Sequence, residues 1–325
     1  MALTEQQLKD RKNYIGGSDI SAIFGYNKWK TALDIYNEKT SDEIKQNGNT
    51  IDNNYIDWGN EDEPILLSKF EREICLKVKQ NVPIRYHDKY DFLAANVDGI
   101  AFDLDEIYIL EAKSICRTHD EWGDPVNDIN YNLISNNQLK QKRGQIPAQY
   151  LFQVAYYCAI YNSTKAYILV RFGNHLPMCV YQYNRDHDFE NHIIENAKNF
   201  WVNHIQKKIP PKPQTYDDVK ELYKNAIKQK EIIINNDIID KYIEMTELQK
   251  QYNDLERKIK KYKKELLLNI EDAEIINNLA HQTIFTCPTI TSERIDNNKL
   301  KEKYPDVARD CSYTIKYRRF YNKLK

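Results

Sequence analysis

The chain has 325 residues, 41% of them hydrophobic and 29% charged, with nine Gly and ten Pro. That composition is ordinary for a globular protein, and the length suits one large domain or two modest ones. No stretch approaches the ~18 apolar residues of a membrane span, and the N-terminus, MALTEQQLKDRKNYIGG, lacks the apolar core of a signal peptide, so a cytoplasmic location is expected. The six cysteines and seven histidines show no metal-ligand spacing, which argues against a zinc site and for reduced thiols. The net charge of −1 is unevenly divided. Residues 1–205 hold 22 Lys and Arg against 29 Asp and Glu, whereas residues 206–325 hold 25 against 19. The basic tail suits phosphate contacts or a solvated helix face equally.

In chain order, residues 1–15 read as a helix opened by a capping box of Thr4 and Gln7. Gly16, Gly17, Ser18 and Asp19 make a loop that starts a second helix, with Ser18 or Asp19 near its N-cap. Residues 39–54 are polar and read as loop or lid. A helix is expected over 61–74, burying Ile65, Leu66, Leu67 and Phe70. Short runs rich in Val, Ile, Phe and Tyr at 78–86, 92–94, 99–103 and 107–112 read as strands. Residues 114–146 form a polar excursion of a length that is usually functional or disordered. Trp122, Lys140, Lys142 and Arg143 within it would suit an unpaired DNA strand.

A helix then spans 147–161, with Phe152, Ala155, Tyr156 and Ala159 inward, followed by strands at 166–171 and 178–183 and a helix at 188–206. Ile209-Pro-Pro-Lys-Pro213 is a stiff connector, which puts one domain at 1–208 and an extension at 214–325. In the extension, Met245, Leu248, Tyr252, Leu255, Ile259, Tyr262 and Leu266 recur at alternating three- and four-residue steps. That is the heptad seam of a long helix that packs on another helix. Residues 283–286 and 313–317 look strand-like.

One passage carries chemistry. Asp98 ends one predicted strand before a Gly99 turn, and Glu111 and Lys113 lie two apart on the next strand. Period-two geometry sends Glu111 and Lys113 to one face and Ala112 to the other. A hairpin would bring the three charged groups together. Two carboxylates offer hard oxygen ligands to Mg²⁺ or Mn²⁺. Such a metal polarises a phosphate and acidifies water. A lysine whose pKa falls on desolvation beside cations would orient or deprotonate that water. Asp-Gly turns and Glu-x-Lys triplets are common, so the trio alone also fits a plain exposed hairpin.

The passage resembles the D…ExK core of the PD-(D/E)xK nuclease superfamily. In particular it is similar to the YqaJ-type viral recombinase family, relatives of phage lambda exonuclease. Four parts of the chain match in order. The first is Arg11 followed by Ser18 in IGGSDISAIFGYNKWKTALDIYNEKT. The second is Trp58-Gly59-Asn60-Glu61-Asp62-Glu63-Pro64, similar to the family's G-x3-E-P helix. The third is Asp98-Gly99 with Glu111-x-Lys113. The fourth is Ile146-Pro147 with Gln153-Val154-Ala155-Tyr156-Tyr157, similar to its iPxxyxxQxxxY helix. The resemblance covers residues 10 to about 205, with a weaker RRF-type ending at Arg318-Arg319-Phe320.

The resemblance implies an α/β, restriction-endonuclease-like core with a small mixed central sheet flanked by helices, plus a helical C-terminal extension. It implies Asp98 and Glu111 as main metal ligands, Glu63 as an acidic group beside them, and the Ala112 carbonyl completing the shell. Lys113 would activate water, and Gln153 would position Lys113 and Glu63. Arg11 and Ser18 would hold a terminal 5′-phosphate, a role that a guanidinium and a hydroxyl at a helix start also suit physically. The side chain of Tyr157 reads as core. The implied activity is Mg²⁺-dependent exonucleolytic digestion of double-stranded DNA from a 5′ end. It belongs to phage-type recombination, with a single-strand annealing protein as partner and a homo-oligomer such as a ring trimer as the working form. The setting would be a bacterial host or virus-infected cell. Two alternatives stay open: a structure-specific or restriction-like endonuclease of the same superfamily, and a non-catalytic DNA-binding or assembly protein.

Overall fold

The computed structural model describes residues 10–41, 53–104, 106–115, 121–123, 145–173 and 178–318. Within these residues the strands of the N-terminal part run β1 (Lys77–Gln80), β2 (Arg85–Tyr86), β3 (Ala94–Ala95), β4 (Gly99–Asp103), β5 (Glu106–Ile115), β6 (Lys165–Phe172) and β7 (Cys179–Asn184). The helices are α1 (Gly17–Ile23), α2 (Ala32–Thr40), α3 (Asn53–Ile74), α4 (Ala148–Tyr161), α5 (His187–Phe200) and α6 (Tyr216–Leu222). Five strands form one sheet in the order β1-β4-β5-β6-β7, and β2 pairs separately with β3. Only β5 and β6 pair parallel; β1–β4, β4–β5 and β6–β7 are antiparallel. A parallel pair needs a crossover, and α4 lies within it.

The strand sequences account for the two layers. β6 reads KAYILVRF, apolar on both faces, as a strand covered on both sides must be. On one face Tyr108, Leu110, Tyr167, Leu169 and Val180 pack with Leu66, Leu67 and Phe70 of α3. On the other, Ile100, Ile109, Ile168, Val170 and Tyr181 join Ile20, Ala22, Phe152, Ala155, Tyr156, Ile193 and Ala197 from α1, α4 and α5. The expected small mixed sheet flanked by helices is what the chain forms.

Several local expectations change. Residues 1–9, with Thr4 and Gln7, lie outside the described residues. The helix expected to reach residue 15 stops as a single 3-10 turn, Arg11–Asn13. The chain then extends because Ile15 N–H donates to the Phe92 carbonyl at 2.8 Å and the Ile15 carbonyl accepts from Ala94 N–H at 3.0 Å. α3 begins at Asn53, earlier than residue 61, and continues through Pro64, leaving Ile65 exposed rather than buried. The run 78–86 divides between two sheets, β1 and β2. The helix at 188–206 ends in a π-helical turn, Trp201–Gln206. Of the 114–146 excursion, residues 114 and 115 belong to β5, and Lys140, Lys142 and Arg143 fall outside the described residues.

Asp98-Gly99 is not a hairpin turn. Gly99 opens β4 and pairs with Leu110, and the turn joins Asp103 to Glu106. A Cβ at Gly99 would stand 2.9 Å from the Leu67 Cδ2 atom, so α3 approaches the backbone closely here and any larger residue would have to displace the Leu67 side chain.

The chain divides into two compact units, Met1–Leu222 and Tyr223–Lys325. The division therefore falls later than the Pro-rich connector. The reason lies in residues 214–218: Gln214 Oε1 accepts from Ala32 N–H at 2.9 Å, and Asp218 accepts from the Thr31 hydroxyl at 2.8 Å. In the second unit α7 (Asn236–Ile270) is followed by β8 (Ile275–Asn277), β9 (Thr283–Thr286), α8 (Asn297–Lys303) and α9 (Pro305–Asp310). β8 and β9 form a hairpin. Residues 313–317 form no strand, while Arg319 and Phe320 lie outside the described residues.

Candidate active site

β4 and β5 create the centre. Their register pairs Gly99 with Leu110, which carries Asp98 across to Glu111. The Ala112 N–H donates to Asp98 Oδ2 at 2.8 Å. Glu111 and Lys113 share the β5 face that carries Ile109, opposite Leu110 and Ala112, as the period of two requires. The Lys113 ammonium donates to Glu111 Oε1 and lies 5.7 Å from the centre of the Tyr150 ring.

α4 supplies the cover. Gln153 Nε2 donates to Glu111 Oε1 at 2.7 Å and to the Tyr157 hydroxyl at 3.0 Å. Gln153 thus holds Glu111 directly, where the resemblance implied Lys113 and Glu63 as the groups it positions. Tyr150, Gln153 and Tyr157 lie three and four residues apart, so one helix face presents all three.

The electrostatics follow from crowding acids under cover. Burial first, and then the Glu111 charge, push the Asp98 carboxyl up to about 8; Lys113 and the Ala112 N–H pull the other way, and Glu63 adds to the rise. For Lys113, burial disfavours the ammonium, but Glu111 and Asp98 outweigh it and hold its pKa above the usual lysine range. Burial and Glu111 likewise push the Tyr157 phenol well above its ordinary range, so it stays a neutral hydroxyl.

Neighbouring acids on α3 separate cleanly. Asp62 is buried and accepts from Ser114 Oγ and Arg171 Nη2, which pair across β5 and β6. Glu63, one residue on, is the α3 acid whose charge reaches Asp98.

The donor chemistry fits a hard divalent cation. Glu111 is 2% exposed, and its Oε2 has no hydrogen-bond partner among the described residues. A buried carboxylate oxygen left open beside a second carboxylate is where such an ion gains most. Among the described residues no three His, Cys, Asp or Glu side chains close into a metal cluster. Asp98 and Glu111 are the ready side-chain donors, and the Ala112 carbonyl and outside oxygens would complete a shell.

A second cluster stands at α1. Arg11 Nη2 donates to Ser18 Oγ at 2.9 Å, so this expected pair does meet. Sequence reasoning missed the group beneath them. Asp19 is buried, 2.9 Å from Lys39 Nζ and 3.8 Å from Arg11 Nη2, and it accepts from Gly16 N–H at 3.0 Å. Burial raises the Asp19 pKa, but Lys39, Arg11 and the Gly16 N–H outweigh it and hold the carboxyl below its ordinary range. No spacing rule links Asp19 to Lys39, twenty residues on. Tyr157 joins the two clusters: its phenol carbons would lie within 2.6 Å of a Cβ on Gly17, and its hydroxyl meets Gln153.

Residues 6–166 match the family model described as the YqaJ-like viral recombinase domain. The YqaJ-like likeness extends further in one relative. The "Uncharacterized protein YqaJ" of Bacillus subtilis (strain 168) is 28% identical over 332 residues, covering 97% of this chain and 93% of the relative. Among solved structures, the alkaline exonuclease of Laribacter hongkongensis is similar at 15% identity, covering 63% of this chain and 94% of that chain, with a TM-score of 0.45. A putative exonuclease from Eubacterium rectale is similar at 14% identity, covering 72% and 97%, with a TM-score of 0.38.

Proposed function

We propose that this chain is a divalent-metal-dependent deoxyribonuclease that digests double-stranded DNA from a 5′ end in phage-type recombination. The observation that carries the reading is the convergence of Asp98, Glu111, Lys113 and Gln153, with Glu111 Oε2 buried and open. The YqaJ-like viral recombinase match over residues 6–166 agrees with it.

In this reading Asp98 and Glu111 hold Mg²⁺ or Mn²⁺, with the Ala112 carbonyl beside them and Glu63 as the outer acid. The bound cation would supply charge stabilisation for the phosphodiester and a more acidic water. Gln153 fixes Glu111 in the rotamer that leaves Oε2 free. Lys113 orients the attacking water or a phosphate oxygen as an N–H donor. Arg11 and Ser18 bind the 5′-phosphate, with Asp19 and Lys39 beneath them as a rigid base. The partners proposed are DNA ends, a single-strand annealing protein and further copies of the chain, in the cytoplasm of a bacterial or infected cell.

The test is digestion of a linear duplex labelled separately at its 5′ and 3′ ends, with and without Mg²⁺, by the parent and by Lys113→Ala. The parent should release the 5′ label first, faster from a 5′-phosphate than a 5′-hydroxyl end, and only with metal. Lys113→Ala should cut on the order of 10²–10³-fold more slowly, the usual cost of removing one positioned donor, and still bind duplex. Cutting that survives the substitution would mean the site is misassigned. Cleavage of closed circles would favour the endonuclease alternative, and equal rates at the two ends would remove the phosphate role of Arg11 and Ser18.

A further inference from the structure

The second unit is built around α7, 35 residues long, or about 52 Å at 1.5 Å per residue. Its own sequence sustains it. The Asn235 side chain caps Ile238 N–H at 3.2 Å, the interior holds no Gly or Pro, and ion pairs such as Glu256–Lys260 at 2.8 Å lie along it. What it lacks is cover: none of its residues is buried. Met245, Leu248, Tyr252, Leu255, Ile259, Tyr262 and Leu266 are each 42–62% exposed.

The shape of this stripe identifies what covers it. From residue 245 to 266 the apolar positions keep strictly to the three- and four-residue steps of a and d. The flanking positions are polar: Glu244, Gln251, Lys258 and Glu265 on one side, Gln249, Glu256 and Lys263 on the other. A helix that seats on a sheet or a core carries a wider stripe; this narrow one is a coiled-coil seam. Such a seam takes a partner helix of equal length and period. The next longest helix among the described residues is α3, of 22 residues, and its Leu66, Leu67 and Phe70 are already buried. A second copy of α7 has the required length and period by construction. Pairing two such seams, with the stems of the flanking Lys and Glu, removes roughly 1,500 Å² from solvent in all, the size of a standard stable interface.

We propose that two copies of this chain associate through α7 as a two-stranded coiled coil. The pairing is independent of the nuclease reading. It also separates two faces of the helix, since Arg257, Lys260, Lys261 and Lys264 lie off the seam and stay in solvent.

The experiment is sedimentation of the full-length chain over micromolar to hundred-micromolar concentrations. It compares the parent, the seam variant Leu248→Glu with Leu255→Glu, and an off-seam variant Lys250→Glu with Arg257→Glu. Near-ultraviolet circular dichroism and urea unfolding of the first unit show that each variant is folded. The parent and the off-seam variant should reversibly double in mass or, if the first unit assembles by itself, reach multiples that the seam variant does not. The seam variant should lose that step. A parent that stays monomeric throughout overturns the proposal. So does a seam variant with the parent's mass, or an off-seam variant that loses association as fully as the seam variant.

Discussion

The two units place apolar residues in opposite ways. In residues 1–222 they fill two cores on either side of one sheet, and charged groups under that cover are paired: Asp19 with Lys39, Asp62 with Arg171, Glu111 with Lys113. In residues 223–325 one side chain, Ala308, is buried among the described residues, and a row of Leu, Ile and Tyr faces solvent. The first unit's geometry comes from long-range pairing, as when β5 joins β6 across the whole α4 crossover. The second unit's comes from local helix formation, which needs caps and (i, i+4) pairs more than a core. Electrostatics follow the same division. Pairs under cover in the first unit have large consequences when broken, whereas exposed pairs such as Asp254–Arg257 are worth little.

The widest predicted contrast is at Asp19. Removing one member of a buried ion pair strands the other, at a cost of about 3–5 kcal/mol. Asp19→Asn should lower the urea midpoint of the first unit accordingly, because Lys39 would be left under cover without its carboxylate partner. The pH dependence has a definite sign. Asp19 has a depressed pKa in the fold, so its stabilising contribution is present above the ordinary aspartate pKa of about 4 and is lost as pH falls through the lower, folded value. The difference in stability between parent and Asp19→Asn should therefore shrink on acidification below about pH 4. A difference that stays constant there would mean the pair does not hold the α1 loop.

A smaller effect is expected at Gly17. A Cβ there would meet Tyr157 ring atoms at 2.3 and 2.6 Å, and overpacking of this kind costs about 1–3 kcal/mol. Gly17→Ala should be destabilising in the parent and far less so in a Tyr157→Leu background, measured as a double-mutant cycle of unfolding free energies. Additive effects would show that the α1 turn and α4 are not in contact through these two residues.

These residues also show where sequence was sufficient. The core strands, the α4 helix and the Glu111–Lys113 face were legible because each rests on a local period, two for strands and about 3.6 for helices. The meeting of Arg11 with Ser18 came from a family resemblance rather than from spacing, and the structure brings the pair into hydrogen-bond contact; the same resemblance brought Gln153 to the site but toward Lys113 and Glu63, whereas its amide meets Glu111. Asp19 with Lys39 and Asp62 with Arg171 left no trace. Each joins residues on different elements, and nothing in a single sequence fixes such pairings. Gly99 was misread for a related reason. Asp-Gly is a common turn signal, but here the glycine answers to Leu67 on a helix more than thirty residues earlier.

The smallest effect is the one that best tests the contrast between units. Leu279 sits at the tip of the β8–β9 hairpin with its side chain fully exposed. The turn beneath it is held by the backbone, Asn278 N–H to the Gln282 carbonyl at 2.9 Å and His281 N–H to the Asn278 carbonyl at 3.0 Å. Leu279→Ala removes no buried area and no hydrogen bond, so thermal unfolding should shift by no more than about 0.5 kcal/mol. Buried leucines lose about 2–5 kcal/mol on the same change. A loss in that range at Leu279 would mean that this hairpin is covered in the working protein, and that exposed apolar residues of the second unit mark contacts beyond the α7 seam.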